Sequence, residues 1–266
     1  MPEVEVRAEG SILRLHLNRP YKKNAVTTAM YAALADGLAA LEDDDGLRVG
    51  LFTASGGDFC AGNDLYDFAA PEPGAAEGDP LAVTRFLTGL ATASKPLVAA
   101  VRGKAVGVGS TLLLHCDFVY VARDADLRFP FVDLGLVPEA ASTLLLPEIA
   151  GLRRATEALL LAKPIDAETA AECGIATSMV DSEELEARAL ETASAVASKP
   201  ARSIRETRRL LRGEPARLIA RQEAEGRIFA ELLRGPDFAA ALERFGSRSG
   251  PGRTGSSRTG PEGTGS

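Results

Sequence analysis

The sequence has no tryptophan, only two histidines and three cysteines, and this scarcity limits the chemistry available to the chain. Cys60, Cys116 and Cys173 are far apart and form no Cys-x-x-Cys pair, which argues against both a disulfide framework and a zinc site. His16 and His115 alone cannot complete a metal-ligand set with them. We therefore expect no bound metal.

Long apolar runs and an excess of positive charge are also missing. No run of about 18 apolar residues is present, so we expect no membrane-spanning helix. The amino terminus is acidic and lacks the basic and apolar regions of a secretory signal, which predicts a cytoplasmic protein. A net charge of −7 argues against a nucleic-acid-binding surface.

Hydrophobic patterning divides the chain into an α/β core and a helical carboxyl-terminal region. Residues 4–17 alternate between apolar and polar on either side of Glu9-Gly10-Ser11, which predicts a β-hairpin. Strand and helix patterns alternate to about residue 180, and beyond Ser182 only helices are predicted, at 183–198, 202–212, 215–235 and 237–245. We predict a core at 1–199, a helical region at 200–245 and a tail at 246–266.

Two segments lack the pattern of a folded element. Residues 70–80 are rich in Pro, Gly, Ala and Glu, which predicts a mobile loop. The tail has no apolar side chain and is rich in Gly and Ser. Because it cannot offset its ordering entropy by burial, we predict that the tail is disordered.

Two glycine-rich stretches are candidate ligand-binding turns. Residues 56–65 read Gly-Gly-Asp-Phe-Cys-Ala-Gly-Asn-Asp-Leu, a strand exit where backbone N–H groups can approach a ligand. Residues 95–114 read as a strand, a glycine-rich turn and an apolar helix near Gly107 whose first N–H groups attract negative charge. No Lys precedes Ser110 as in a Walker loop, and Leu112 breaks the dinucleotide fingerprint. Nucleotide-phosphate motifs are therefore excluded.

Together with Leu-Asn-Arg-Pro-Tyr-Lys-Lys-Asn-Ala-Val at 17–26, these stretches resemble the crotonase (enoyl-CoA hydratase/isomerase) superfamily. Its members show Asn-Arg-Pro…Asn-Ala, Phe-Cys-Ala-Gly-x-Asp-Leu and Lys-Pro…Gly-x-Gly in this order, and the likeness covers about residues 3–245. The resemblance implies an α/β spiral of ββα units with a C-terminal helical trimerisation region, and hence a homotrimer or a hexamer of two trimers. It also implies an acyl-CoA thioester substrate and no cofactor, since coenzyme A is part of the substrate.

The resemblance further implies a set of site residues. The backbone N–H groups of Asn63 and Val108 would form the oxyanion hole that stabilises a thioester enolate. The implied substrate- and CoA-binding positions are Asn24, Ala25, Val26, Ala61, Gly62, Asn63, Asp64, Leu65, Gly107 and Phe131.

The carboxylates predict which reaction the site performs. Hydratases of this superfamily use two glutamates, and the motifs place Thr111 and Phe131 at those positions, so hydration is not the expected main activity. Glu139 instead matches the single glutamate of the peroxisomal-type Δ3,Δ2-enoyl-CoA isomerases. We predict that Glu139 takes a proton from C2 of a 3-enoyl-CoA and returns it to C4.

Three alternatives stay open at this point. Glu139 follows Pro138 and could simply complement a helix dipole. The enzyme could be an enoyl-CoA hydratase, an isomerase of ring-containing acyl-CoA, or another crotonase-type lyase or hydrolase. The chain could also be a non-catalytic acyl-CoA-binding subunit.

Overall fold

The computed structural model describes residues 1–64 and 81–248, and within them the chain is a layered α/β structure. The strands are β1 (Val4–Glu9), β2 (Ile12–Leu17), β3 (Val49–Ala54), β4 (Leu97–Val101), β5 (Lys104–Val106), β6 (Phe118–Ala122), β7 (Asp126–Arg128), β8 (Ile165–Asp166) and β9 (Ser178–Val180). The α-helices are α1 (Thr28–Asp43), α2 (Ala82–Thr92), α3 (Val108–Thr111), α4 (Ser142–Leu160), α5 (Ala167–Glu172), α6 (Leu185–Ala197), α7 (Ala201–Arg212), α8 (Ala216–Leu232) and α9 (Pro236–Arg248).

The main sheet has six strands in the order β1-β2-β3-β4-β6-β9. The predicted hairpin is confirmed, because β1 and β2 pair antiparallel with Val4 opposite Leu17. Each later neighbour pairs in parallel, which requires a crossover between consecutive strands. The other three strands form a second sheet in the order β5-β7-β8. The predicted α/β class is confirmed.

The main sheet is buried on both faces, as expected of a parallel sheet between helical layers. In β4 the side chains of Val98 and Ala100 pack with Ala189 and Ala193 of α6. The alternate positions face the larger core, which contains residues of α1 and α2. The period of two along β4 therefore assigns successive side chains to opposite layers.

The segment after Gly107 differs from the prediction of one apolar helix. Helix α3 ends at Thr111, and Leu112–His115 continues as a 3₁₀ helix. The segment ends at β6, and the guanidinium groups of Arg208 and Arg212 on α7 bind its last carbonyls, those of His115 and of Leu114 and Cys116. Tertiary hydrogen bonds therefore satisfy the last carbonyls of this buried segment, which a longer helix would otherwise bond within itself.

The helices predicted beyond Ser182 are present as α6 to α9, and α9 ends at Arg248, beyond the predicted limit of 245. The predicted loop at 70–80 and residues 249–266 of the predicted tail lie outside the described residues. The division into 1–199, 200–245 and 246–266 stays a prediction. In the parts of the chain that the structure describes, no helix combines the length and apolarity needed to cross a bilayer.

A buried lysine ties the end of α1 to the start of β4. The Lys95 side chain is 3% exposed, and its ammonium group donates to the carbonyl oxygens of Leu41 at 2.6 Å and Asp44 at 2.7 Å. Those carbonyls lie at the end of α1, where a positive charge also complements the helix dipole.

We expect Lys95→Met to lower the free energy of unfolding by about 1–3 kcal/mol, because two buried carbonyls lose their charged donor. The exposed Lys199→Met is the matched control, and a change below about 0.5 kcal/mol is expected there. Urea denaturation of both variants measures the difference. Equal stability of the two variants would contradict this account of Lys95.

Candidate active site

Two turns of the chain are held in contact at the centre of the site. The Cys60 N–H donates to the Lys104 carbonyl at 3.0 Å, and the Val106 N–H donates to the Cys60 carbonyl at 2.8 Å. A Cβ atom at Gly109 would lie 2.9 Å from the Cys60 carbonyl oxygen. Only glycine permits this approach, which explains one of the glycines in the second motif.

The predicted oxyanion-hole donors lie on these two turns. Gly62 and Gly107, which precede Asn63 and Val108, lie close together, since a Cβ at Gly107 would lie 3.9 Å from the Gly62 Cα. Gly107 has φ 55° and ψ −119°, a conformation that other residues rarely adopt. Among the described residues, neither the Asn63 N–H nor the Val108 N–H donates to a protein acceptor. Both donors are free to bind an oxygen atom of a ligand.

The predicted CoA-binding positions also come together. The Val26 N–H donates to the Gly62 carbonyl at 2.8 Å, and the Asp64 N–H donates to the Val26 carbonyl at 2.9 Å. The Ala61 N–H donates to the Lys23 carbonyl at 2.9 Å. The segments 24–26 and 61–64 therefore form one continuous backbone surface. Leu65 lies outside the described residues.

The side chain of Asn24 is fully buried and holds its turn in place. Its Oδ1 accepts from the Arg19 N–H at 2.8 Å, and its Nδ2 donates to the carbonyls of Ser55 at 2.9 Å and Asp58 at 2.8 Å. Arg19 in turn pairs with Asp64 at 2.8 Å. These contacts assign the side chains of Asn24 and Asp64 to structure, so a ligand at these positions meets the backbone.

Glu139 lies in the loop before α4 and is 7% exposed. Its Oε1 is buried and has no hydrogen-bond partner among the described residues. Burial, and secondarily the charge of Glu225, raises the pKa of Glu139 from 4.5 to about 7. A carboxyl group in this state can both accept and donate a proton near neutral pH.

Tyr31 and Cys60 lie near enough to Glu139 for its charge to affect their pKa values. The Tyr31 hydroxyl donates to Oδ1 of Asn63 at 2.5 Å. Burial raises the pKa of Cys60 to about 12 and raises that of Tyr31 well above its usual range, and the nearby charge of Glu139 adds to both shifts. Both groups stay neutral near pH 7, so the Cys60 thiol is not a nucleophile here.

Comparison with known proteins identifies the family. The model of the family described as enoyl-CoA hydratase/isomerase matches residues 7–251. The chain belongs to this family. The predicted membership of the crotonase superfamily is therefore confirmed, and the family fold agrees with the α/β structure and its C-terminal helices.

Individual relatives include isomerases. The chain is 39% identical over 196 residues to 1,2-epoxyphenylacetyl-CoA isomerase of Escherichia coli (strain K12), covering 72% of this chain and 75% of that protein. It is 34% identical over 224 residues to enoyl-CoA delta isomerase 2 of Rattus norvegicus, covering 83% of this chain and 57% of that protein. The match therefore spans little more than half of the rat protein. Hydratases also occur among the matched relatives.

Solved structures support the same fold. The structure of an enoyl-CoA hydratase/isomerase from Pseudoalteromonas atlantica T6c has a TM-score of 0.88 and 40% sequence identity to this chain. The similarity covers 95% of this chain and 100% of that one. This chain therefore shares the fold of that protein over nearly its whole length.

The two positions predicted to replace the hydratase glutamates are buried in this family member. Thr111 is fully buried, with its hydroxyl 3.5 Å from the Val108 carbonyl, and Phe131 is 5% exposed. Neither side chain can ionise near pH 7. Within the described ranges, no group of three His, Cys, Asp or Glu side chains is arranged to hold a metal ion.

Three residues around Glu139 carry no motif that marks them as site residues. They are Tyr31 on α1, His115 before β6 and Glu225 on α8. Their contacts join parts of the chain that are distant in sequence, such as Glu225 with Ala141 and Thr143. Local periodicity contains no information about such pairs, so no signal in the sequence marks Glu225 as a site residue.

The raised pKa of Glu139 also predicts how stability depends on pH. A carboxyl group whose pKa is higher in the folded state stabilises the fold below about pH 4.5, and this contribution is lost as pH rises through about 7. The loss amounts to about 3 kcal/mol for a shift of this size.

We therefore expect Glu139→Gln to unfold at a higher temperature than the unmodified enzyme at about pH 8, with the difference shrinking towards about pH 5. Asp133→Asn, at an exposed position of the preceding segment, is the control and should leave the pH dependence unchanged. Thermal denaturation across this range measures both. A difference that is constant with pH would refute the raised pKa.

Proposed function

We propose that this enzyme shifts the double bond of a 3-enoyl-CoA to the 2-position, with Glu139 as the single acid and base. The observation that carries the proposal is the buried Glu139 carboxyl, whose Oε1 has no partner in the part of the chain that the structure describes and whose pKa is raised to about 7. A carboxyl held only for structure would be expected to have its oxygens hydrogen-bonded.

In the proposed reaction, the thioester oxygen of the substrate accepts hydrogen bonds from the N–H groups of Asn63 and Val108. These donors stabilise the negative charge that develops when a proton leaves C2. The ionised Glu139 removes that proton, and the dienolate spreads its charge to C4. The same carboxyl, now protonated, donates to C4 and gives the conjugated 2-enoyl-CoA.

The proposal needs no separate cofactor, because the acyl-CoA thioester supplies the activated carbonyl. The backbone of segments 24–26 and 61–64 would hold the coenzyme A portion, and Gly107 and Phe131 would contact the acyl group. We also propose a homotrimer or a hexamer. Leu160, Leu161, Leu210 and Leu211 are 64–81% exposed, and such large apolar side chains favour contact between copies.

We expect Glu139→Gln to lower kcat for a 3-enoyl-CoA by about 10²–10⁴-fold, the usual contribution of a positioned general base. KM should change little, since Gln keeps the size of the side chain. The appearance of the conjugated thioester, followed by its ultraviolet absorbance, measures the rate. Asp133→Asn is again the matched control and should retain the activity of the unmodified enzyme. A loss below about tenfold in Glu139→Gln would contradict a positioned base.

A second candidate is the isomerisation of a ring-containing acyl-CoA. The observation that favours it is the 39% identity to 1,2-epoxyphenylacetyl-CoA isomerase, which exceeds the 34% identity to the rat enoyl-CoA delta isomerase 2. In this chain such a reaction would use the same oxyanion hole and the Glu139 carboxyl, and would require an acyl pocket that accepts a ring.

Parallel assays distinguish these activities. We expect a linear 3-enoyl-CoA to be converted with a higher kcat/KM than either an epoxide of a ring-containing acyl-CoA or a 2-enoyl-CoA offered for hydration. The absence of carboxylates at Thr111 and Phe131 is the reason to expect slow hydration. Preference for the epoxide would favour the second candidate, and faster hydration of the 2-enoyl-CoA would overturn both isomerase proposals.

A further inference from the structure

The peptide group that joins Ala140 to Ala141, directly after Glu139, is held at both of its polar atoms. The Ala140 carbonyl accepts a hydrogen bond from Nε2 of His115 at 2.8 Å. The Ala141 N–H donates to Oε2 of Glu225 at 2.7 Å. One peptide plane is thus fixed from opposite sides by two buried side chains.

This peptide needs such support because its backbone is strained. Ala140 has φ 61° and Ala141 has φ 56°, so two consecutive alanines adopt the left-handed conformation. Residues with a Cβ rarely adopt it, and it persists only where the surroundings enforce it. Without the two hydrogen bonds, the loop that presents Glu139 would relax towards a more favourable conformation.

Further hydrogen bonds hold the Glu225 carboxylate in the position from which it binds the Ala141 N–H. Its Oε1 accepts from the Thr143 N–H at 3.0 Å and from the Thr143 hydroxyl at 2.5 Å. The guanidinium of Arg221, on the same helix, also donates to that hydroxyl at 3.2 Å. Glu225 therefore binds both the strained peptide and the start of α4.

Helix α8 itself is fixed to the core at two positions that precede Glu225. Arg217 pairs with Glu148 of α4 at 2.7 Å, and Gln222 donates to the Leu87 carbonyl of α2 at 3.0 Å. The position of the Glu225 carboxyl is therefore determined by the docking of the C-terminal helices on the core.

His115 is a neutral donor in this arrangement. Burial lowers the pKa of His115 from 6.5 to about 4, an effect opposed by the Ala140 carbonyl and by Asp117 and increased by Arg212 and Arg208. Because a carbonyl oxygen can only accept, the proton of the neutral ring is on Nε2. The His115 contact is thus constant across the pH range in which Glu139 titrates.

We propose that His115 and Glu225 are positioning residues, which clamp the Ala140–Ala141 peptide so that the Glu139 carboxyl faces the turns at Asn63 and Val108. The inference rests on the proposed function of Glu139 and extends it. It makes α8, a helix of the C-terminal region, part of the machinery that orients the base.

The clamp also acts on Glu139 through charge. After burial, the negative charge of Glu225 is the second cause that raises the pKa of Glu139. Among the described residues, Tyr31 of α1 and Cys60 beyond β3 also respond to the charge of Glu139, and both are neutral near pH 7, as is His115. Removal of the Glu225 charge should therefore lower the pKa of Glu139, whereas a purely structural cap would leave it unchanged.

The decisive comparison is between Glu225→Gln, Glu225→Ala and Glu223→Gln, the last being an exposed control on the same helix. We expect Glu225→Ala to lower kcat by about 10²-fold with little change in KM, since a misplacement of about 1 Å can cost this much. In the unmodified enzyme, the acidic limb of the pH profile of kcat/KM should lie near pH 7, where Glu139 titrates. In Glu225→Gln this limb should move to lower pH. Glu223→Gln should change neither quantity.

A second measurement does not depend on turnover. Titration of ¹³C-carboxyl-labelled glutamate by NMR, with Glu139→Gln used to assign the signal, reports the pKa of Glu139 directly in the folded protein. We expect a lower value in Glu225→Gln than in the unmodified enzyme. This result would support the clamp even if no 3-enoyl-CoA were isomerised, so failure of the proposed function and failure of this inference are distinguishable.

Variants of His115 test the other half of the clamp independently. His115→Gln keeps a side-chain N–H for the Ala140 carbonyl, whereas His115→Leu removes it, so kcat should fall further in the leucine variant. The inference is overturned if the leucine and glutamine variants have equal kcat. It is also overturned if Glu225→Gln leaves both the acidic limb and the Glu139 titration unchanged. Where Glu225→Ala does not fold, Glu225→Gln carries the test.

Discussion

A carboxylate buried without a cation is strongly destabilised. Within the described residues Glu139 is in this situation, since burial and a second carboxylate are the influences that shift its pKa. This destabilisation of the ionised carboxylate favours proton transfer to Glu139, because the transfer moves the negative charge onto another atom. As Glu139 accepts a proton, negative charge leaves the carboxyl and develops on the thioester oxygen of the proposed substrate. There the N–H groups of Asn63 and Val108 have no competing acceptor among the described residues. The site is therefore complementary to the charge distribution after proton transfer, which is the condition for catalysis.

The fold supplies this arrangement from three separate parts of the chain. Strand β5 pairs with the Cys60 backbone and brings the two glycine-rich turns together. The base comes from the loop before α4, and α8 fixes that loop through Glu225. Each part alone would be a flexible turn or loop. Their geometry is defined only because the sheets and the C-terminal helices pack around a common core.

The features that the sequence predicts are those that local chemistry determines. The hairpin follows from alternation around Gly10, and the close approach of the turns follows from their glycines, of which both Gly62 and Gly107 have a positive φ. Helix α3 is shorter than predicted because tertiary contacts from α7 satisfy the carbonyls beyond it. The left-handed alanines at 140 and 141 run against their own backbone preference, and contacts from His115 and Glu225 hold them there. No local pattern encodes such long-range contacts, and for this reason the support of Glu139 could not be predicted.

The choice between isomerisation and hydration depends on how many carboxylates share the buried space. Hydration requires one group to activate water and another to handle the proton at the α-carbon, whereas a double-bond shift reuses a single proton. Additional carboxylates near Glu139 would raise one another's pKa and leave the base protonated at neutral pH. With Thr111 and Phe131 at the other two positions, the acidic charge among the described residues that acts on Glu139 is that of Glu225, which is engaged by backbone N–H groups. The pKa of Glu139 can therefore stay close to 7, where the same group removes a proton from one carbon and returns it to another.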